Sequence, residues 1–143
     1  MTLSKVQQTF PAVMGELHNM LDFVKRAGKK TALGKNRLAK LELACEEFLV
    51  NIISYAYDTA SSVGIINILC RNSSEYFEVT ITDHGRHFDP AQAVIETPTD
   101  KPLKDREPGG LGIFLARSSV DEVRYERLNN TNMLRIYTYF NKE

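Results

Sequence analysis

A chain of 143 residues is long enough to bury a sizeable core in one domain, read here as residues 1–143. With 43% hydrophobic and 25% charged residues it has the balance of an ordinary folded protein, not of a disordered or fibrous one. Eighteen Lys plus Arg offset eighteen Asp plus Glu, so no net field draws it toward nucleic acid or an acidic membrane.

The opening "MTLSKVQQTF" lacks the apolar core of a signal peptide, and no run reaches membrane-spanning length, so a cytoplasmic protein is expected. The same opening is read as a short strand through Phe10. Pro11 suits a helix start, and Val13, Leu17, Met20, Leu21 and Val24 recur at helical spacing toward Gly28. After a linker around "GKKTALGK", a second helix is predicted from Lys35 to Asp58. Leu38, Leu41, Cys45, Phe48, Ile52 and Ala56 form its buried stripe. Next, "GIINILCR" is a β-branched apolar run. "SSEYFEVTITD" alternates Phe77, Val79 and Ile81 against Glu78, Thr80 and Thr82. The turn chemistry of "RNSS" joins the two as a hairpin.

An irregular stretch from His84 to Gly109 carries prolines at 90, 98, 102 and 108 and reads as a lid or binding loop. A helix from Gly110 to Ser119 and strands near "DEVRYER" and "NMLRIYTYF" complete the chain. This order predicts an α+β fold: a two-layer sandwich, mostly antiparallel, with helices on one sheet face. Cys45 and Cys70 lie in separate apolar segments without paired spacing, and read as buried thiols.

Three short stretches carry chemistry. In "CEEFLVNIISYAY", Glu47 and Asn51 are four apart and share a helix face distinct from the apolar stripe. Such oxygens suit a hydrated Mg²⁺, or the carboxylate can take a proton from an attacking hydroxyl; a solvent-exposed polar pair is the commoner use of this spacing. In "VTITDHGRHFDP", Asp83 closes a strand with Gly85 two residues on. A carboxylate there can accept a hydrogen bond from an exocyclic amine such as adenine N6, although a plain Asp-Gly turn has the same look. In "GGLGIFLARSSVDEV", Gly109, Gly110 and Gly112 lead into a helix, whose free N–H groups and dipole favour a phosphate, although a glycine-rich helix start is more often only a tight turn.

Neither familiar phosphate loop fits. "GKKT" has Phe23 where a Walker A loop needs glycine, and no third glycine completes a Rossmann fingerprint. His84 and His87 with Asp83 and Asp89 crowd one loop with no distant ligand, which disfavours zinc. The basic run from Lys25 to Lys40 reads as a solvated helix end and linker.

The order of the three stretches is more specific than any one of them. "EEFLVN", "DHGRHFD" and "GGLG" resemble the N box and two glycine boxes of the GHKL ATPase superfamily, which has the nucleotide-binding Bergerat, or histidine kinase-like ATPase, fold. "ACEEFLVNIISYAY", "DHGRHFDP" and "GGLGIFLARSSVDEVRYER" are similar to its anti-sigma factor serine/threonine kinase branch, over most of the chain.

The resemblance implies that Glu47 is the base preparing a hydroxyl nucleophile and that Asn51 coordinates Mg²⁺ on the phosphates of ATP. It implies that Asp83 reads the adenine amine beside Gly85. Gly109, Gly110, Leu111 and Gly112 wrap the phosphates, and Arg106 supplies a lid cation. The implied partners are a sigma factor and an anti-sigma factor antagonist, with a homodimer as the common state. A non-catalytic partner-switching module and an ATPase subunit of a larger assembly are the alternatives. The chain departs from the pattern at His87, where a second glycine is usual, and at Tyr55, where close relatives carry histidine.

Overall fold

The computed structural model describes residues 4–57, 64–92 and 110–140. Five strands form one sheet in the order β1-β2-β3-β5-β4: β1 Ser4–Pro11, β2 Ile65–Asn72, β3 Tyr76–Asp83, β4 Glu122–Leu128 and β5 Thr131–Tyr139. Every neighbouring pair is antiparallel. Three α-helices complete the second layer: α1 Leu17–Lys29, α2 Lys35–Asn51 and α3 Gly110–Ser118.

The strand alternation decides where the core lies. Ile66, Ile68 and Cys70 of β2 pair with Asp83, Ile81 and Val79 of β3, and these with Asn132, Leu134 and Ile136 of β5. Directly paired residues share a face. That face joins Met20 and Val24 of α1 and Leu41, Cys45, Phe48 and Leu49 of α2 in one buried cluster. On the other face Glu78 and Thr80 were expected to be outward positions, yet both are buried. They lie on the central strand, where Arg71 approaches Glu78 at 3.7 Å and the Thr80 hydroxyl donates to it at 2.7 Å.

Two boundaries differ from the sequence reading. Pro11 does not start a helix; it ends β1, opposite Ile65, on the sheet edge that tolerates a missing N–H. Val13 stays extended, and a 3₁₀ turn over Met14–Glu16 leads into α1. The second helix keeps its α form only to Asn51; Ile52–Ala56 widen into a π-helical turn and Tyr57 is extended. The β2–β3 turn closes on Ser73, whose hydroxyl accepts from the Glu75 and Tyr76 N–H groups at 3.0 and 2.9 Å. Cys45 and Cys70 are free and buried.

Candidate functional site

Helix α2 is the spine of the site. Asn51 is only 2% exposed, so the solvent-exposed reading of the Glu47–Asn51 pair fails for Asn51. Its Nδ2 donates to the Glu47 backbone carbonyl at 2.7 Å. This turns the nitrogen to the helix and leaves the carboxamide oxygen as the end without a hydrogen bond among the described residues. Glu47, one turn earlier, is partly buried.

Against Glu47 lies the first turn of α3. A methyl group at Gly112 would sit 2.1 Å from Glu47 Oε1 and 2.5 Å from Cδ. Only a residue without a side chain lets the α3 backbone come this close with the carboxylate in place. The first N–H groups of a helix have no intrahelical acceptors, so this turn presents donors beside Glu47. At the other end of α3, Arg37 of α2 donates to Asp121 at 2.5 Å and also to the Tyr139 carbonyl. With Gly112 at Glu47 and Asp121 at Arg37, α3 runs antiparallel to α2. Leu115 therefore lies near the level of Leu43, and both are exposed, at 57% and 64%.

The second cluster forms where α2 ends. The π-helical turn projects the carbonyls of Tyr55 and Ala56, which accept from Arg86 Nε at 2.5 Å and Arg86 N–H at 2.9 Å. Such turns satisfy groups that an α-helix end would leave orphaned. Gly85 packs so tightly here that a Cβ would meet the Ala56 oxygen at 2.3 Å. Asp83, 1% exposed, accepts at Oδ1 from Gly85 N–H (2.8 Å) and from Asn132 Nδ2 (2.9 Å). Its Oδ2 has no hydrogen bond among the described residues. Burial pushes the Asp83 carboxyl above its usual range, against the pull of Asn132, the Gly85 N–H, His84 and Arg127.

Asn132 was not singled out in the sequence, and it is the hub of this cluster. It faces Asp83 directly across β3–β5. Its nitrogen also donates to the Arg86 carbonyl at 2.8 Å, and its oxygen accepts from Tyr125 at 2.5 Å and Arg127 at 3.1 Å. All four hydrogen-bonding positions of the buried amide are thus filled. The signal was there: Asn132, Leu134 and Ile136 share one parity, so a polar residue occupies a core position. Arg127 also donates to the Gly85 carbonyl at 2.8 Å. Tyr57, likewise unforeseen, donates to the Ile65 carbonyl and accepts from His84 N–H, both at 3.1 Å.

Of the residues expected at the site, Glu47, Asn51 and Gly112 gather at one end, with Gly110 and Leu111 opening α3. Asp83 and Gly85 gather at the other, joined to the first group through Ala56 and α2. From Glu47 to Ala56 is about 13 Å at the helical rise per residue. Arg106 and Gly109 lie outside the described residues. His87 is exposed and stacks on Tyr125 at 5.8 Å, while the Tyr55 ring rests on Phe88 at 5.6 Å. The two oxygen donors at Glu47 and Asn51 are of the hard type that suits Mg²⁺.

Comparison with known proteins bears on the family and the fold. Residues 10–138 match the family described as the histidine kinase-like ATPase domain. Serine/threonine-protein kinase BtrW of Bordetella bronchiseptica is 31% identical over 99 residues, 69% of this chain and 68% of BtrW. Serine-protein kinase RsbW of Halalkalibacterium halodurans is 33% identical over 87 residues, 58% of this chain but only 51% of that protein. Among solved structures, the RsbU and RsbW domains of a Mycobacterium tuberculosis protein superpose over 94% of this chain and 32% of theirs, with TM-score 0.63 and 14% identity. The Acinetobacter baumannii histidine kinase AdeS covers 96% of this chain and 68% of its own, with TM-score 0.51 and 13% identity. These two likenesses bear on the fold: an antiparallel five-stranded sheet with three helices. With the family match spanning most of its length, the chain belongs to the histidine kinase-like ATPase domain family.

Proposed function

We propose that this chain is an ATP-dependent protein serine/threonine kinase of the anti-sigma factor type. It transfers the terminal phosphoryl group of ATP to a Ser or Thr of an antagonist protein, and alternately sequesters a sigma factor in the cytoplasm, as a homodimer. The observation that carries the reading is the contact of Gly112 with Glu47, which sets a carboxylate beside amide donors at one end of α2. Asp83 waits beyond the π-helical turn that follows Asn51.

The residues divide the work. Asp83 Oδ2 accepts the adenine amine while Asn132 holds Oδ1. The Asn51 oxygen and the N-terminal amides of α3 face the phosphates. Mg²⁺, when bound at Asn51, neutralises phosphate charge. Glu47 takes the proton of the acceptor hydroxyl as its oxygen bonds to the terminal phosphorus. The bond to the bridging oxygen breaks and ADP leaves. Leu43, one turn before Glu47 on α2, and Leu115, near its level on α3, are exposed, an apolar margin that suits a protein acceptor better than water alone. The kinase names of BtrW and RsbW point the same way.

The test incubates the purified chain with labelled ATP, Mg²⁺ and the antagonist encoded nearby. Label moves to the antagonist, and Glu47→Ala cuts the transfer to a small residual rate. Tight ATP binding with no transfer to any candidate would instead support a binding module, and steady phosphate release without an acceptor an ATPase.

A further inference from the structure

The sheet has two edges, and they are built differently. Outer strand β4 carries Glu122, Arg124, Glu126 and Arg127, the kind of charge that keeps an edge from pairing. Outer strand β1, SKVQQTFP, holds a single charged side chain, Lys5, and is exposed from Ser4 to Thr9.

The β1–β2 ladder fixes which backbone groups of β1 point away from the sheet. Ala12 N–H donates to the Gly64 carbonyl at 2.8 Å, one position beyond the Pro11–Ile65 pair. Hydrogen-bonded pairs alternate along an antiparallel ladder, so Phe10, Gln8, Val6 and Ser4 turn their N–H and C=O groups to β2. Pro11, which has no N–H to offer, falls in the outward set, and its carbonyl accepts from Val13 N–H at 2.9 Å. The outward N–H and C=O groups of Lys5, Gln7 and Thr9 have no partner among the described residues.

We infer that β1 pairs antiparallel with β1 of a second copy, about a twofold axis at Gln7, joining two sheets edge to edge. This gives the homodimer proposed above its surface and rests on that part of the reading. With the axis at Gln7, Lys5 lies opposite Thr9 of the second copy and Gln7 opposite Gln7. Each pair exchanges both hydrogen bonds, so every free outward group is satisfied. A shift of the axis toward Thr9 brings Pro11, which cannot donate, into the ladder. A shift toward Lys5 carries Thr9 past the start of the facing strand. A register this self-complementary favours a second copy over a foreign strand, and no like charges meet in it. On the core face Val6, 48% exposed, comes to lie opposite Gln8 and diagonal to Val6 of the second copy.

Sedimentation equilibrium of the full chain tests this. The wild type dimerises with a Kd on the order of 10 µM, as suits a small interface. Gln7→Lys and Gln7→Glu, at an exposed position, each set like charges opposite one another and weaken self-association at least about fivefold. Mixed in equal amounts, the two variants pair at least as tightly as the wild type. Gln7→Pro removes an N–H that β2 does not use, so the far-UV circular dichroism stays that of the wild type while the dimer is lost. A wild type still monomeric at about 1 mM would overturn the inference together with the proposed homodimer. A dimer that all three variants keep at wild-type strength would overturn the inference alone and move the homodimer to another surface. Phosphoryl transfer to the antagonist is measured separately and decides neither outcome.

Discussion

Gly112 presses its backbone against the carboxylate of Glu47, with room for no side chain between them. The obstructing atom is the far end of a flexible side chain, so Gly112→Ala is expected to fold normally. Alanine also favours the helix, and stability should stay within about 1 kcal/mol of wild type or rise. The displaced carboxylate, however, should lower phosphoryl transfer by about 10- to 100-fold. In a Glu47→Ala background the same change should do nothing more. An equal loss in both backgrounds would mean that the glycine acts through something other than this carboxylate.

Asp83→Asn separates binding from stability. The amide retains an oxygen to accept from Gly85 and Asn132 but loses the acceptor at Oδ2, so ATP should bind about 1–3 kcal/mol more weakly. Burial raises the Asp83 pKa in the folded state, so the folded chain takes up this proton more readily than the unfolded one. Its favourable contribution is therefore complete below the unfolded value and is lost as pH rises through the folded one. The variant should melt at least as high as wild type at neutral pH, and its advantage should shrink on acidification. A wild type that gains on the variant as pH falls below neutrality is the expected curve; the reverse slope would refute the burial argument.

Asn51→Ala removes an oxygen whose orientation is set by the bond to the Glu47 carbonyl. Magnesium should then no longer strengthen nucleotide binding, and the affinity for Mg-ATP should fall about tenfold or more. Calorimetry with and without EDTA measures this directly. A retained magnesium effect would put the ion on other residues.

Asn132→Ala strips four partners at once from a buried amide. Stability should drop by about 2–3 kcal/mol in urea unfolding, because the groups left behind are shielded from water. A loss well under about 1 kcal/mol would show that water takes over the network.

Gly85→Ala drives a methyl into the Ala56 carbonyl, a backbone atom that cannot rotate aside. A cost of about 1–3 kcal/mol is expected even without nucleotide. An unchanged melting temperature would contradict the packing described.

The sequence made the parts visible wherever one residue type does one job. The alternation Phe77–Val79–Ile81 placed a strand, and the steps of three and four through Leu38, Leu41, Cys45 and Phe48 placed a helix with its buried face. Helix α3 begins at Gly110, where the glycines predicted it. What stayed hidden was relational. Nothing local says that Ala56 will leave the α-helical path, since the reason is Arg86 and Gly85, thirty residues downstream. Pro11 reads as a helix start because proline fits there, but its pairing with Ile65 prevails. Asn132 became legible only once β5 was laid beside β3 and brought Asp83 opposite. The two glycines were expected to admit a ligand, yet each is already demanded by a protein neighbour.

The clasp of Arg37 on Asp121 fixes the trailing end of α3 to the root of α2. A rod held at its tail moves more toward its tip, so any tilt of α3 would displace Gly112 further than the turns behind it. Glu47 lies against that turn, so any such tilt would reach its carboxylate first, while the Asp83 end is wedged by Gly85 against Ala56.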